Sequence, residues 1–222
     1  MAPFIRTRRL IPRSLTAVKT GISVFLISMA VVLPYSVSAA PQTAPNTLPD
    51  VTSFSLSIQN GNGSMLRGVY IDGLLALPVV QQPASDAGYV STIDNTVTQF
   101  SMAAQFGTVG LLAHNYLSGQ YFSQLMPGMI ITSIYGDGRT EYFQVTQILR
   151  YRATSPYSVY SDFVDLDTQE YLTGNALFAK VYTGSRHVTF QTCITQDGNS
   201  SWGRLFIIGQ PVQYLSYVTK AD

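Results

Sequence analysis

The chain holds one cysteine, Cys193, and two histidines, His114 and His187, so thiol, imidazole or metal chemistry must be done with very few side chains. One cysteine can form neither an internal disulfide nor a cysteine zinc cluster. A thiol becomes a strong nucleophile when a base or a cation stands beside it. In Thr189-Phe190-Gln191-Thr192-Cys193-Ile194 a period of two puts Thr189, Gln191 and Cys193 on one face of a strand and Val188, Phe190 and Thr192 on the other. Gln196-Asp197-Gly198-Asn199-Ser200 is turn sequence, so Cys193 is expected to end its strand, and the chain returns through Trp202-Gly203-Arg204-Leu205-Phe206-Ile207-Ile208. If the two strands pair as an antiparallel hairpin, Arg204 lies beside Cys193. A guanidinium there favours a thiolate or holds a developing oxyanion.

The base must be a histidine. His187 precedes Cys193 on its own strand by roughly 20 Å, at about 3.3 Å per residue, and is out of reach. His114 follows the apolar strand Val109 to Ala113 and sits at a strand end, which leaves it as the partner by elimination. A blander reading stands beside this one. A lone cysteine is commonly a small buried hydrophobe, a lone histidine at a strand end is commonly structural, and Arg204 could pair with an acid such as Asp197. A free thiol in an exported protein is open to oxidation, which weighs against an idle one.

The elements that must hold these residues read as short strands. Phe54, Leu56 and Ile58 alternate with serines, predicting a half-buried strand that ends at Asn60-Gly61-Asn62-Gly63. Val69 to Ile71 and Leu74 to Val80 form a hairpin about Asp72-Gly73, and Met129 to Tyr135 and Thr140 to Leu149 form another about Gly136-Asp137-Gly138. Ala176 to Tyr182 and His187 to Cys193 flank Thr183-Gly184-Ser185-Arg186, and Arg204 to Ile208 closes the series. Helical signals are few. Tyr121, Phe122, Leu125 and Met126 lie at one-turn spacing behind Ser118, a candidate cap, and 95–106 is a helix or irregular segment. Residues 151–180 carry Pro156, Gly174 and several acids and read as a long loop. The pattern predicts one all-β domain, a barrel or a sandwich.

Composition agrees with a single packed domain: 222 residues, 46% hydrophobic and only 11% charged, which excludes disorder and rod-like assemblies. Five of the thirteen basic residues (Arg6, Arg8, Arg9, Arg13 and Lys19) lie in the first nineteen positions, where no acid occurs, so the remaining eight face twelve acids. The acidic body argues against nucleic acid as a partner. The basic head precedes an uncharged apolar run, Gly21 to Leu33, then Pro34 and Ser36-Val37-Ser38-Ala39-Ala40. This predicts a secretory signal cleaved after Ala39, or an uncleaved anchor through residues 20–40. Either exports the body and allows membrane association, with the head left inside. The expected organisation is 1–39 signal or anchor, a proline-bearing linker over 40–51, and the domain over 52–222.

At its chemical residues the sequence resembles the sortase family of cysteine transpeptidases. The family's signature strand, Thr-Leu-x-Thr-Cys, stands here as Thr189-Phe190-Gln191-Thr192-Cys193, followed by Trp202 and Arg204; Leu112-Ala113-His114-Asn115 stands where the family carries its histidine. Phe190 replaces the usual Leu, and Ala113 the frequent Gly. The resemblance covers about 52–218 and implies a closed β-barrel of about eight strands with a few short helices. It implies that Cys193 attacks a peptide carbonyl in a sorting motif of an exported protein, that His114 moves the protons, and that Arg204 orients the substrate and the oxyanion. It implies that Thr192 assists the oxyanion through a backbone or hydroxyl donor, and that an amine on the cell wall or on another protein accepts the acyl group. No metal or organic cofactor is required. Asp162, Asp165, Asp167 and Glu170 could form a calcium site like that of some sortases, although spaced acids in a loop are more often only solvated. Two other readings stay open: a hydrolase of the same fold that uses water as acceptor, and a non-catalytic cell-envelope binding module.

Overall fold

In a computed structural model of the chain, the described residues are 48–158 and 160–212; the expected signal or anchor, and the linker up to residue 47, lie outside them. The first element is a helix, α1 (Val51–Ile58), where alternation predicted a strand. Serines at every second position imitate a strand, but the residues that bury are Phe54 and Ile58, one helical turn apart, while Leu56 is 67% exposed. Asp50 starts the helix, its Oδ1 accepting from Thr52 N and Ser53 N at 3.0 Å each.

The helix docks on a hairpin of β1 (Leu66–Ile71) and β2 (Leu75–Gln81). It meets β1 at Gly68, where a Cβ would strike Ile58 and Phe54, so only glycine allows this close approach. Val97–Gln99 (β3) runs parallel to β2 and leads through the single turn of α2 (Ser101–Ala104) into β4 (Val109–Leu112). A 3-10 helix follows at Ser118–Gln124. The helix expected there is present but tighter, and Ser118 lies inside it with no capping role. The second predicted hairpin forms as β5 (Ile130–Tyr135) and β6 (Thr140–Ala153).

Residues 151–180, expected as a long loop, instead hold the end of β6, two short strands β7 (Phe163–Asp165) and β8 (Tyr171–Leu172), and most of helix α3 (Gly174–Tyr182). The strand expected over Ala176–Tyr182 is this helix. Thr173 Oγ1 accepts from Ala176 N at 3.2 Å at its start, and Leu177, Val181 and Tyr182 bury at helical spacing. The chain ends in β9 (Val188–Gln196) and β10 (Asn199–Pro211).

The strands join in the order β10-β9-β4-β3-β2-β1-β5-β6, and β10 also pairs with β6, so eight strands close a barrel, with β7 and β8 added outside β6. The barrel leaves none of these strands with a long free edge. Val188, Phe190, Leu205 and Ile207 fill its interior. On the outer face, Phe206 and Ile208 pack with Tyr151 against Leu177, Val181 and Tyr182 of α3. No described helix is long and apolar enough to cross a membrane.

Candidate active site

The two strands that carry the thiol and the guanidinium pair as the sequence suggested. β9 and β10 are antiparallel, with Arg204 directly opposite Cys193 and Phe206 opposite Gln191. Directly opposed residues share a face, and Phe206 marks it as the outer one, so Cys193 and Arg204 both point away from the barrel interior. Cys193 is half-buried and in no disulfide. It does not end its strand: β9 runs on to Gln196 before a tight turn at Asp197 (φ 50°) and Gly198 (φ 76°). Arg204 Nη1 donates to Ser201 O at 3.0 Å and Gly203 O at 2.9 Å. Among the described residues its guanidinium forms no ion pair, so the alternative of a partner in Asp197 is not realised.

On the other side of β9 lies β4, parallel to it, with Leu112 level with Gln191. The pairing extends one step further: Ala113 N donates to Gln191 O at 3.2 Å, and Thr192 Oγ1 donates to Ala113 O at 2.9 Å. His114 is the next residue and so reaches the level of Cys193. The histidine carbonyl then accepts from Leu117 N and Gly119 N, both at 3.0 Å, which turns the chain sharply into the 3-10 helix. Gly119 is forced by this turn, because a Cβ there would lie 2.6 Å from His114 O, 2.9 Å from Ala113 O, and against Thr192 Oγ1. The half-buried imidazole stacks on Tyr116, with ring centres 5.1 Å apart and planes 19° apart.

Thr192 is buried on the face opposite Cys193, as the alternation predicts, and spends its hydroxyl proton on Ala113 O. Its hydroxyl therefore braces β9 to the histidine loop and is not free to donate to an oxyanion. His187 is at the far end of β9, buried, with Nδ1 2.7 Å from Ser185 O and Nε2 3.0 Å from Val181 O. It is structural, as its distance along the strand implied.

A cavity of about 330 Å³ opens beside the thiol, lined by Asn115, Gln120, Ser123, Thr192, Cys193 and Leu205 among others. None of its lining residues is charged, and neither His114 nor Arg204 is among them. Two residues of this region carried no sequence signal beyond their place after His114. One is Tyr116, already described. The other is Asn115, whose Nδ2 donates to Thr195 Oγ1 at 2.8 Å and to Ser200 O at 3.0 Å. The register brings the strand positions of a thiol and a guanidinium opposite one another and places His114 two residues beyond the Leu112–Gln191 pair, and these three groups are of the types that nucleophilic acyl transfer uses.

Three of the four loop acids are engaged by the chain itself. Asp162 accepts from Tyr171 Oη and Gly174 N, Asp165 from Asp167 N and Thr168 N, and Asp167 lies 3.5 Å from Arg150. Hydrogen bonds from these donors hold Asp162 below the usual carboxylate range. Among the described residues no three His, Cys, Asp or Glu side chains gather as a metal site.

The sequence matches no family profile and no curated protein. Among solved structures it is similar to sortase C from Clostridium perfringens SM101 (18% identity, 77% of this chain and 79% of that one, TM-score 0.40). It is also similar to sortase C1 from Streptococcus suis (14% identity, 74% and 79%, TM-score 0.45). A third is sortase A from Corynebacterium diphtheriae (12% identity, 69% and 63%, TM-score 0.46).

Proposed function

We propose that the protein is a sortase-like cysteine transpeptidase that works outside the cytoplasm on exported proteins. The observation that carries this reading is the row across the barrel wall: Arg204 directly opposite Cys193 on one side, and β4 delivering His114 to the same level on the other. The signature residues Thr189 to Cys193 lie on the strand that carries the thiol.

In this reading Cys193 Sγ bonds to a peptide carbonyl carbon while Arg204 faces the oxygen that gains charge. The C–N bond then breaks, and the departing amine takes a proton from the His114 imidazolium, leaving a thioester on Cys193. An incoming amine attacks the same carbon and gives its proton to His114. The C–S bond breaks with its electron pair going to sulfur, and the Cys193 thiolate and His114 imidazolium are restored. The donor is a protein carrying a sorting motif, and the acceptor is an amine of the cell wall or of another protein. The N-terminal basic and apolar run provides export and, if retained, an anchor.

The test is a pool of uncharged fluorogenic pentapeptides offered with and without hydroxylamine, an amine that captures thioesters as hydroxamates. Cleavage with hydroxamate formation, lost in Cys193→Ala and in His114→Ala, supports the transpeptidase. Cleavage at the same rate without hydroxamate identifies a hydrolase. Full activity in Cys193→Ala removes the cysteine mechanism.

A further inference from the structure

β10 does not follow β9 evenly. Asn199 pairs with Gln196 and Gly203 with Ile194, so Ser200, Ser201 and Trp202 stand opposite the single residue Thr195. This is a β-bulge of two extra residues, separated from Arg204 by Gly203 alone. A bulge takes carbonyls out of the ladder, and those carbonyls need other donors.

Two of them find donors, and both donors belong to the candidate site. Ser200 O accepts from Asn115 Nδ2 at 3.0 Å, and Ser201 O accepts from Arg204 Nη1 at 3.0 Å. Asn115 spends its second amide proton on Thr195 Oγ1, at 2.8 Å, directly across the bulge. The bulge is fixed from within by Ser201 N, which donates to Asn199 Oδ1 at 2.9 Å. One carboxamide thus ties the residue after His114 to β9 and to the segment on which the Arg204 guanidinium rests. Without it the histidine loop and the bulge share no other side-chain hydrogen bond among the described residues.

We propose that Asn115 is a positioning residue for the acyl-transfer reaction: by spanning the β10 bulge it fixes the Arg204 guanidinium relative to His114 and Cys193. It acts through Arg204 and touches no reacting atom. The proposal rests on the cysteine reading above for its consequence in catalysis, but its structural half stands on the hydrogen bonds alone. Asp at this position keeps the shape and loses the donors, and its carboxylate would face Ser200 O, so Asn115→Asp is expected to be worse than Asn115→Ala.

Two measurements test it, both on the full chain. In the first, NMR of the arginine side chains follows rotation of the Arg204 guanidinium, assigned by comparison with Arg204→Lys. Rotation is expected to be slowed in the wild type, by the two carbonyl partners, and released in Asn115→Ala. Unchanged rotation in Asn115→Ala overturns the proposal whatever the enzyme does. In the second, the peptide pool with hydroxylamine is turned over by Asn115→Ala, Arg204→Ala and the double variant. Asn115→Ala is expected to lose about tenfold in rate, and the double variant to fall within about threefold of Arg204→Ala, because residues acting through one another are not additive. Multiplying effects mean that Asn115 acts elsewhere and overturn the proposal. If Cys193→Ala retains full turnover, the cysteine reading fails by itself, and the NMR measurement still decides whether Asn115 holds the guanidinium.

Discussion

Gly119→Ala puts one methyl group at the tightest point of the site. The added Cβ would sit 2.6 Å from His114 O and 2.9 Å from Ala113 O, with Thr192 Oγ1 against it as well. Two of these atoms are backbone, so the turn after His114 must open or the Thr192 hydroxyl must leave Ala113 O. Overpacking a close-packed site costs about 1–3 kcal/mol, and leaving a buried carbonyl without its donor costs about 1–3 kcal/mol. The two are alternative ways to relieve one clash and partly overlap, so about 2–4 kcal/mol is expected. In a domain of this size that lowers Tm by roughly 4–16 °C. The backbone that shifts carries His114, so the folded variant should also lose activity on the peptide pool, by about tenfold or more, while thiol content by mass stays at one per chain. Urea unfolding gives the stability and turnover at a temperature well below Tm gives the activity. A variant within about 0.5 kcal/mol of wild type and fully active would show that Ala113, Thr192 and Gly119 do not form a close-packed clamp.

His187→Ala removes a ring held between two carbonyls at the end of β9 away from the thiol, and is expected to destabilise by about 2–4 kcal/mol while the folded fraction keeps the wild-type rate; a selective loss of rate would place His187 in the chemistry. Phe54→Ala empties the contact of α1 with Tyr70 and Ile134 and should cost about 3–5 kcal/mol, seen first as loss of amide protection in 51–58 and not in β9. Glu141 gives a pH dependence. Burial raises its carboxyl pKa, but hydrogen bonds from Arg186 and Tyr135 and the Arg186 charge outweigh this, and the folded-state value lies below the ordinary glutamate value. The stability this contributes is present above the unfolded pKa and is lost as pH falls through the folded one. In urea titrations Glu141→Gln should therefore be less stable than wild type near neutrality, by about 1–2 kcal/mol, with the gap closing as pH falls through and below the ordinary glutamate range; a gap that stays constant as the pH falls refutes the assignment.

Much of the fold was legible because hairpin chemistry is local. Asp72-Gly73 and Gly136-Asp137-Gly138 announce their turns, and the alternation in Thr189 to Cys193 gives the correct faces. The errors share a cause. Phe54-Ser-Leu-Ser-Ile58 and Ala176 to Tyr182 are short enough for periods of two and 3.6 to compete, and burial against Gly68 in one case and the barrel wall in the other decided for helix. The tertiary partner was missing from the pattern. The site divides along the same line. Arg204 opposite Cys193 follows from one hairpin, but the place of His114 depends on a parallel pairing of β4 with β9, strands far apart in the chain. Asn115 was invisible as a functional residue because its partners, Thr195 and Ser200, gain their meaning only from a bulge. Ser200 was read as part of a turn, whereas three residues of β10 there stand opposite one of β9.

That bulge also explains why the site stands where it does. Along a regular antiparallel ladder each strand's carbonyls accept from its neighbours, which leaves fewer of them to hold a guanidinium on the face. β10 is paired on both sides for most of its length, with β9 and β6, and is thus among the most rigid elements of the barrel. Where its pairing with β9 slips, at Ser200 to Trp202, carbonyls are released, and Ser201 O joins Gly203 O in holding Arg204 while Ser200 O receives Asn115. The irregularity is confined by regular pairing at Gly203 below it and at Asn199 above it, so the released carbonyls keep fixed directions. Deleting Ser201 and Trp202 should let the ladder run evenly from Asn199 to Gly203. The barrel would then keep or gain stability while Arg204 lost one of its two backbone acceptors. Retained stability with activity lowered toward that of Arg204→Ala is the expected result, and full activity in that deletion would show that the bulge is dispensable to the site.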